Sequence, residues 1–208
     1  MKTYKLTIPF YASLKTSAII IAFISCAHAS AQDTVKRLYF EKIRWTVEVP
    51  TEFKMLDSVT VEAQAREGGG HLLKADSSKL DYTKIIHLIT ASKTPTDALS
   101  VTITPFDPEV DGHYDSSNQY MMLKLYNLYK DKVGSMVRID SLTSVDQIDG
   151  LSFTKYSLHI FINEKLVITN ILWYRLYEGY DFGITYLYID ERTGKQIEAI
   201  LRASKFAK

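Results

Sequence analysis

Cysteine is nearly missing from this chain, which holds one in 208 residues, at position 26. A single thiol makes neither an intrachain disulfide nor a thiolate metal cage. Proline (five) and glycine (nine) are also sparse, which excludes collagen-like and Pro/Gly/Ser-rich low-complexity chains. Neither sign of charge is in surplus: 25 Lys and Arg stand against 24 Asp and Glu, so there is no polybasic field for a phosphate backbone. No apolar run reaches the roughly 20 residues of a membrane-spanning helix, so a multi-span membrane protein is excluded. What is there is 46% hydrophobic and 12% aromatic residues, enough apolar surface for one packed domain.

The first 31 residues carry Lys2, Lys5 and Lys15 and no acid, then the apolar run Ser17 to Ser25, then Ala29-Ser30-Ala31. This order predicts a secretory signal peptide over 1–31, cleaved after Ala31, with residues 32–208 as a single domain. Phe23-Ile24-Ser25-Cys26 also resembles a lipobox. Lipidation of Cys26, tethering the chain to a membrane without a span, is therefore the alternative to simple secretion. Removal of 1–31 takes away three lysines and the cysteine, leaving 22 basic against 24 acidic groups. A periplasmic or secreted chain of that composition must rest on its core, not on disulfides.

Ile43, Trp45, Val47 and Val49 alternate with Arg44, Thr46 and Glu48, the period of a half-buried strand, and Pro50 closes it. A short helix is expected from Asp57 or Ser58 to about Glu67, stopped by Gly68-Gly69-Gly70. Tyr82 to Ala91 and Ala98 to Phe106 read as a hairpin about the turn Thr94-Pro95-Thr96-Asp97. From Ser116 or Ser117 to Gly134 the period becomes helical, with Met121, Met122, Leu125, Tyr126, Leu128 and Tyr129 in a broad stripe. Met136 to Ser144, Leu151 to Ile162, Leu166 to Tyr177 and Tyr180 to Ile189 follow as strands, the last three an antiparallel meander. Both alternating sets of Leu166 to Tyr177 are largely apolar, so the sheet is expected to be covered on both sides. Thr193 to Ser204 closes the chain as an amphipathic helix after the turn Asp190 to Gly194.

Catalytic signatures are lacking. There is no Gly-x-Ser-x-Gly elbow, phosphate loop, His-Glu-x-x-His helix or dinucleotide fingerprint, and His71, His87, His113 and His159 stand apart in sequence. The residues point to no enzyme and no cofactor. Asp107, Glu109, Asp111 and Asp115, with Gly112 at the sixth place, imitate a calcium loop. The twelfth place is Asn118, where a bidentate Glu is expected, so a solvated acidic connection is the simpler reading. Tyr177, Tyr180, Tyr186 and Tyr188, with Tyr174, gather in the final hairpin. Tyrosine suits interfaces, being broad, apolar and polar-tipped, and it equally suits strand packing.

The order of elements is framed by Val47-Glu-Val-Pro50-Thr-Glu-Phe53 and Ala203-Ser204-Lys205-Phe206. It resembles the PsbP-like group of α/β/α sandwiches, which includes the DcrB-like bacterial proteins. Thr104-Pro-Phe106, Gln147-Ile-Asp-Gly150-Leu-Ser-Phe153 and Gly179-Tyr-Asp-Phe-Gly183 are still more similar to uncharacterised exported proteins of Bacteroidetes. The resemblance implies an α+β fold, with a mainly antiparallel sheet of about six to seven strands covered by helices on both faces. It also implies a non-catalytic binding or accessory role toward an unidentified protein partner. An enzyme with a dispersed site and a periplasmic immunity-type protein are the alternatives.

Overall fold

The computed structural model describes residues 34–57, 84–94, 96–133 and 137–207. The signal segment 1–31 with Cys26, the helix expected over 57–67, the triple glycine and His71 lie wholly or largely outside the described residues. What is described belongs to one unit, Asp33–Lys208.

The strands, in chain order, are β1 (Val35–Phe40), β2 (Trp45–Pro50), β3 (Lys54–Met55), β4 (Ile86–Thr94), β5 (Asp97–Pro105), β6 (Val137–Ile148), β7 (Leu151–Ile162), β8 (Lys165–Tyr177), β9 (Tyr180–Tyr188) and β10 (Lys205–Phe206). Helices α1 (Pro108–Asp111) and α2 (Tyr114–Val133) separate β5 from β6, and α3 (Glu191–Ala203) precedes β10. Seven strands form one antiparallel sheet in the order β3-β4-β5-β9-β8-β7-β6, and β1-β2-β10 form a second. The expected antiparallel pairing is met; six of the expected strands share the large sheet, and β3, which sequence does not mark, makes the seventh. The strand expected from Ile43 to Val49 is β2, and it lies at the centre of a separate three-stranded sheet whose other strands, β1 and β10, no sequence pattern announces.

Two-residue turns set the meander's register. Ile148 pairs with Leu151 and Tyr177 with Tyr180, and the enclosed Gly150 (φ 80°) and Gly179 (φ 77°) take the left-handed backbone that such turns demand. The β4–β5 turn is held by Thr94, whose Oγ1 accepts from Asp97 N at 3.1 Å and donates to Asp97 Oδ2 at 2.8 Å. β6 runs four residues past the expected Ser144, because its ladder with β7 continues without a break to the turn.

Neighbouring residues of β8 enter different clusters, as the strand period requires. Ile171 and Trp173 join the main core with Phe153, Phe182, Ile184 and Tyr186, closed by Ile197 and Leu201 of α3 and by Trp45, Val47 and Phe206 of the small sheet. Tyr174 joins Met122, Tyr156 and Leu158 in a second cluster, with Leu125, Tyr126 and Tyr129 of α2 packed against it. One side is thus covered by a helix and a sheet together, not by a helical layer alone. Trp45 anchors the small sheet: it stacks on Phe40 at 5.7 Å and on Phe206 at 6.2 Å, and its indole N–H donates to Ser204 Oγ at 2.8 Å.

Candidate functional site

Four charged side chains converge above the Trp173 ring. Glu198 and Arg202 are one turn apart on α3, Asp146 comes from β6 and Lys155 from β7. Arg202 forks onto Asp146, Nη1 to Oδ1 at 3.0 Å and Nη2 to Oδ2 at 2.5 Å, while its Nε donates to Glu198 Oε1 at 3.0 Å. Lys155 Nζ lies 3.3 Å from Glu198 Oε2 and 3.8 Å from Asp146 Oδ2. Both cations sit over the indole, at 5.1 Å for Lys155 and 5.5 Å for Arg202. Burial alone would raise both carboxyls, but the Arg202 hydrogen bonds and the charges of Arg202 and Lys155 outweigh it and hold Asp146 and Glu198 below their ordinary values. Two positive and two negative groups neutralise one another, so the cluster fastens α3 to the sheet and leaves no surplus charge for a ligand.

On the opposite face a carboxyl is handled differently. Tyr114, at the start of α2, donates its O–H to Asp181 Oδ1 of β9 at 2.7 Å and packs edge-on against Phe106 at 5.3 Å. Burial, only partly opposed by the Tyr114 hydrogen bond, raises Asp181 above the ordinary carboxylate range, and the charge of Asp111 adds to the rise. The carboxyl accepts from a phenol at a helix–sheet contact, and the pair locks the start of α2 to β9.

The sequence-derived candidates separate. Tyr186 is 1% exposed, between Trp173 at 6.5 Å and Tyr188 at 6.1 Å, so it is a core residue and not part of a binding surface. Tyr177 leans edge-on against Phe206 at 5.2 Å, and Tyr180 lies opposite it with the Lys42 ammonium 6.0 Å away. Tyr188 covers Gly194, where an added Cβ would stand 2.5 Å from the ring. All four belong to or pack on the main core; the spacing puts them on one face, and that face points inward. Asp107 and Asp111 turn to backbone: Asp107 accepts from Glu109 N at 3.0 Å, capping α1, and Asp111 accepts from Asp107 N at 2.8 Å. No group of three or more His, Cys, Asp or Glu placed to hold a metal occurs among the described residues. His159 Nδ1 is 3.2 Å from Thr169 Oγ1, a strand-to-strand contact.

A recess of about 190 Å³ opens where the small sheet meets β3, lined by Lys36, Val49, Pro50, Thr51, Phe53, Lys54 and Met55. Val35 and Met55 are exposed beside it. Lys36 and Lys54 flank an apolar floor. In sequence, Val47 to Phe53 carries a fold signature and nothing more; no local signal marks a recess whose walls come from three strands.

No family model matches the chain, and no curated protein sequence does. Among solved structures, the architecture is that of PsbP-like proteins. The chain is similar to the solution structure of cyanobacterial PsbP (CyanoP) from Synechocystis sp. PCC 6803, with a TM-score of 0.54 at 9% identity over 88% of this chain and 99% of that one. The likeness shows the PsbP-like fold. No helix among the described residues is long and apolar enough to cross a membrane.

Proposed function

We propose that the chain is an exported, non-catalytic binding or accessory protein that engages a protein partner at the recess beside β3. The observation that carries this reading is the recess itself. At about 190 Å³ it falls below the roughly 300 Å³ at which small-molecule pockets begin, while an apolar side chain from a partner fits it. Lys36 and Lys54 favour a partner segment with acids beside that side chain. A periplasmic immunity protein, occluding a toxin, is one form such a role takes.

Export is supported by the lysine-bearing, apolar, Ala-x-Ala order of residues 1–31, with a lipid anchor at Cys26 as the alternative to free secretion. Kinship with DcrB-like and exported Bacteroidetes proteins is supported by the motifs quoted above. Helical cover on both faces of the large sheet is supported by the two clusters to which Trp173 and Tyr174 belong.

The test is a pull-down from native envelope extract, with the chain as bait beside a Lys54→Glu/Met55→Glu variant of unchanged melting temperature. A partner held by the first and lost with the second is the expected result. Identical captures, or none, would remove the recess as the binding surface.

A further inference from the structure

The two edges of the large sheet are built in opposite ways. At one end β3 is two residues long, a short edge that offers little to pair with. At the other end β6 runs for twelve residues, and its register with β7 holds from Val137 to Ile148 with no bulge to twist the edge away. No described strand pairs with its outer side. The usual defences of an exposed edge are charge, proline and bulges. Ser141-Leu142-Thr143-Ser144-Val145 has none of them, and Leu142 and Val145 are 63% and 73% exposed.

We propose that β6 pairs with β6 of a second copy of this chain, antiparallel about a two-fold axis through Leu142, joining the two large sheets edge to edge. Only alternate residues of a strand turn their N–H and C=O outward, and both copies share that alternation. A self-paired strand must therefore place its axis on a residue, not between two. With the axis on Leu142, Arg138 opposes Asp146, Ile139 opposes Val145, Asp140 opposes Ser144, Ser141 opposes Thr143, and Leu142 meets itself. Opposite charges and apolar groups face one another, and no like charges do. Moving the axis to Thr143 sets Asp140 against Asp146; moving it to Ser141 removes the charge pair and sets Leu142 against Asp140. Charge complementarity and the apolar match thus select one occupant and one register. Arg138 already pairs with Asp140 and Glu164 of its own chain, and Asp146 with Arg202 and Lys155, so the contact joins two existing charge clusters across the axis. This edge lies at the far end of the sheet from the recess at β3, and it can fail without affecting that reading.

The experiment uses the full chain in a Cys26→Ala background, with Leu142→Cys, Ser141→Cys and Thr143→Cys made separately and oxidised. Residues directly opposed are about 4.5–5.5 Å apart between Cα atoms, within disulfide range, while a one-residue displacement from the axis puts the copies roughly 7–8 Å apart, beyond it. The Leu142→Cys protein should form a covalent dimer, and the other two should not. Sedimentation velocity over a concentration series should show the wild type moving toward dimer mass, and Leu142→Lys, which brings two ammonium groups together on the axis, staying monomeric with unchanged circular dichroism. A wild type that remains monomeric throughout would overturn the proposal and leave the edge to a strand of another protein. So would cross-linking of the Ser141→Cys or Thr143→Cys protein in preference to the Leu142→Cys protein, or a Leu142→Lys protein that still dimerises.

Discussion

Trp173 and Tyr174 are adjacent in sequence and belong to opposite faces of one sheet, and the two faces are built on different terms. Beneath Trp173 lies the main core, sealed by α3 and the small sheet, with acids that have drawn cations to themselves. Tyr174 belongs with Met122, Tyr156 and Leu158 to a smaller cluster under α2, beside an acid that is held by a phenol. The first carboxylates are pulled down by Arg202 and Lys155, and the second is pushed up by burial. Burial acts on all three; the presence of a cation decides the sign.

The largest expected contrast is in packing. Trp173→Ala should cost about 3–5 kcal/mol, since it opens a cavity against Phe153, Tyr186 and two overlying cations. Tyr174→Ala should cost about 2 kcal/mol, because its cluster is smaller and relaxes more easily. Urea denaturation of both variants checks this. Equal losses would mean that the two faces bear the fold alike.

Next in size is Gly194→Ala. Its Cβ would fall 2.5 Å from the Tyr188 ring, and displacing a packed ring should cost about 1–3 kcal/mol. A Tyr188→Leu background should recover part of that loss in thermal melts. The control is Gly112→Ala, in the connection between α1 and α2: space is open there, but φ is 77°, so any loss comes from the backbone, and trimming a neighbouring side chain cannot relieve it.

Much of this contrast is legible in sequence, and its limits are physical. β2 declares itself because one face is wet and one dry, so Trp45, Val47 and Val49 alternate visibly. The turns at Asp149-Gly150 and Glu178-Gly179 show because tight hairpins need a left-handed residue. The tyrosines grouped in the final hairpin divide, Tyr174 to one face and Tyr177, Tyr180, Tyr186 and Tyr188 to the other, and period two cannot say which face is inside; that depends on α3 and on β10, whose two residues pair with Trp45 and Thr46 from the far end of the chain. Gly194 reads as part of a turn. It is helical because Asp190 caps the helix, accepting from Arg192 N at 3.2 Å, and it is glycine because the Tyr188 ring leaves no room for a Cβ. The recess is invisible in sequence, since two lysines and a methionine carry no motif.

A smaller effect distinguishes the acids. Arg202→Ala strands Asp146 and Glu198 with Lys155 alone. The site is partly in water, so screening limits the loss to about 1 kcal/mol at neutral pH. Depressed carboxylates contribute stability above their unfolded values, about 3.9 for Asp and 4.3 for Glu, and that contribution is lost as pH falls through the lower folded values. The difference between wild type and Arg202→Ala in urea melts should therefore shrink below about pH 4. A gap that persists in acid would assign the role of Arg202 to its packing on Trp173.

Asp181→Asn should give the smallest change, with the opposite sign. A carboxyl raised in the folded state favours folding below its unfolded value, and that contribution disappears as pH rises through the folded value. At neutral pH the wild type therefore carries a buried charge at a cost, whereas the amide carries none and its oxygen still accepts from Tyr114. The variant should be more stable than wild type at neutral pH, by about 1 kcal/mol or less, and the gain should vanish as pH falls through the unfolded value. Tyr114→Phe in the same melts sharpens the point: it removes the donor that opposes the rise, so it should destabilise at neutral pH and do so less in acid. If Asp181→Asn instead weakens the fold at neutral pH, the carboxylate is held by a positive partner after all, and the two faces treat their acids alike.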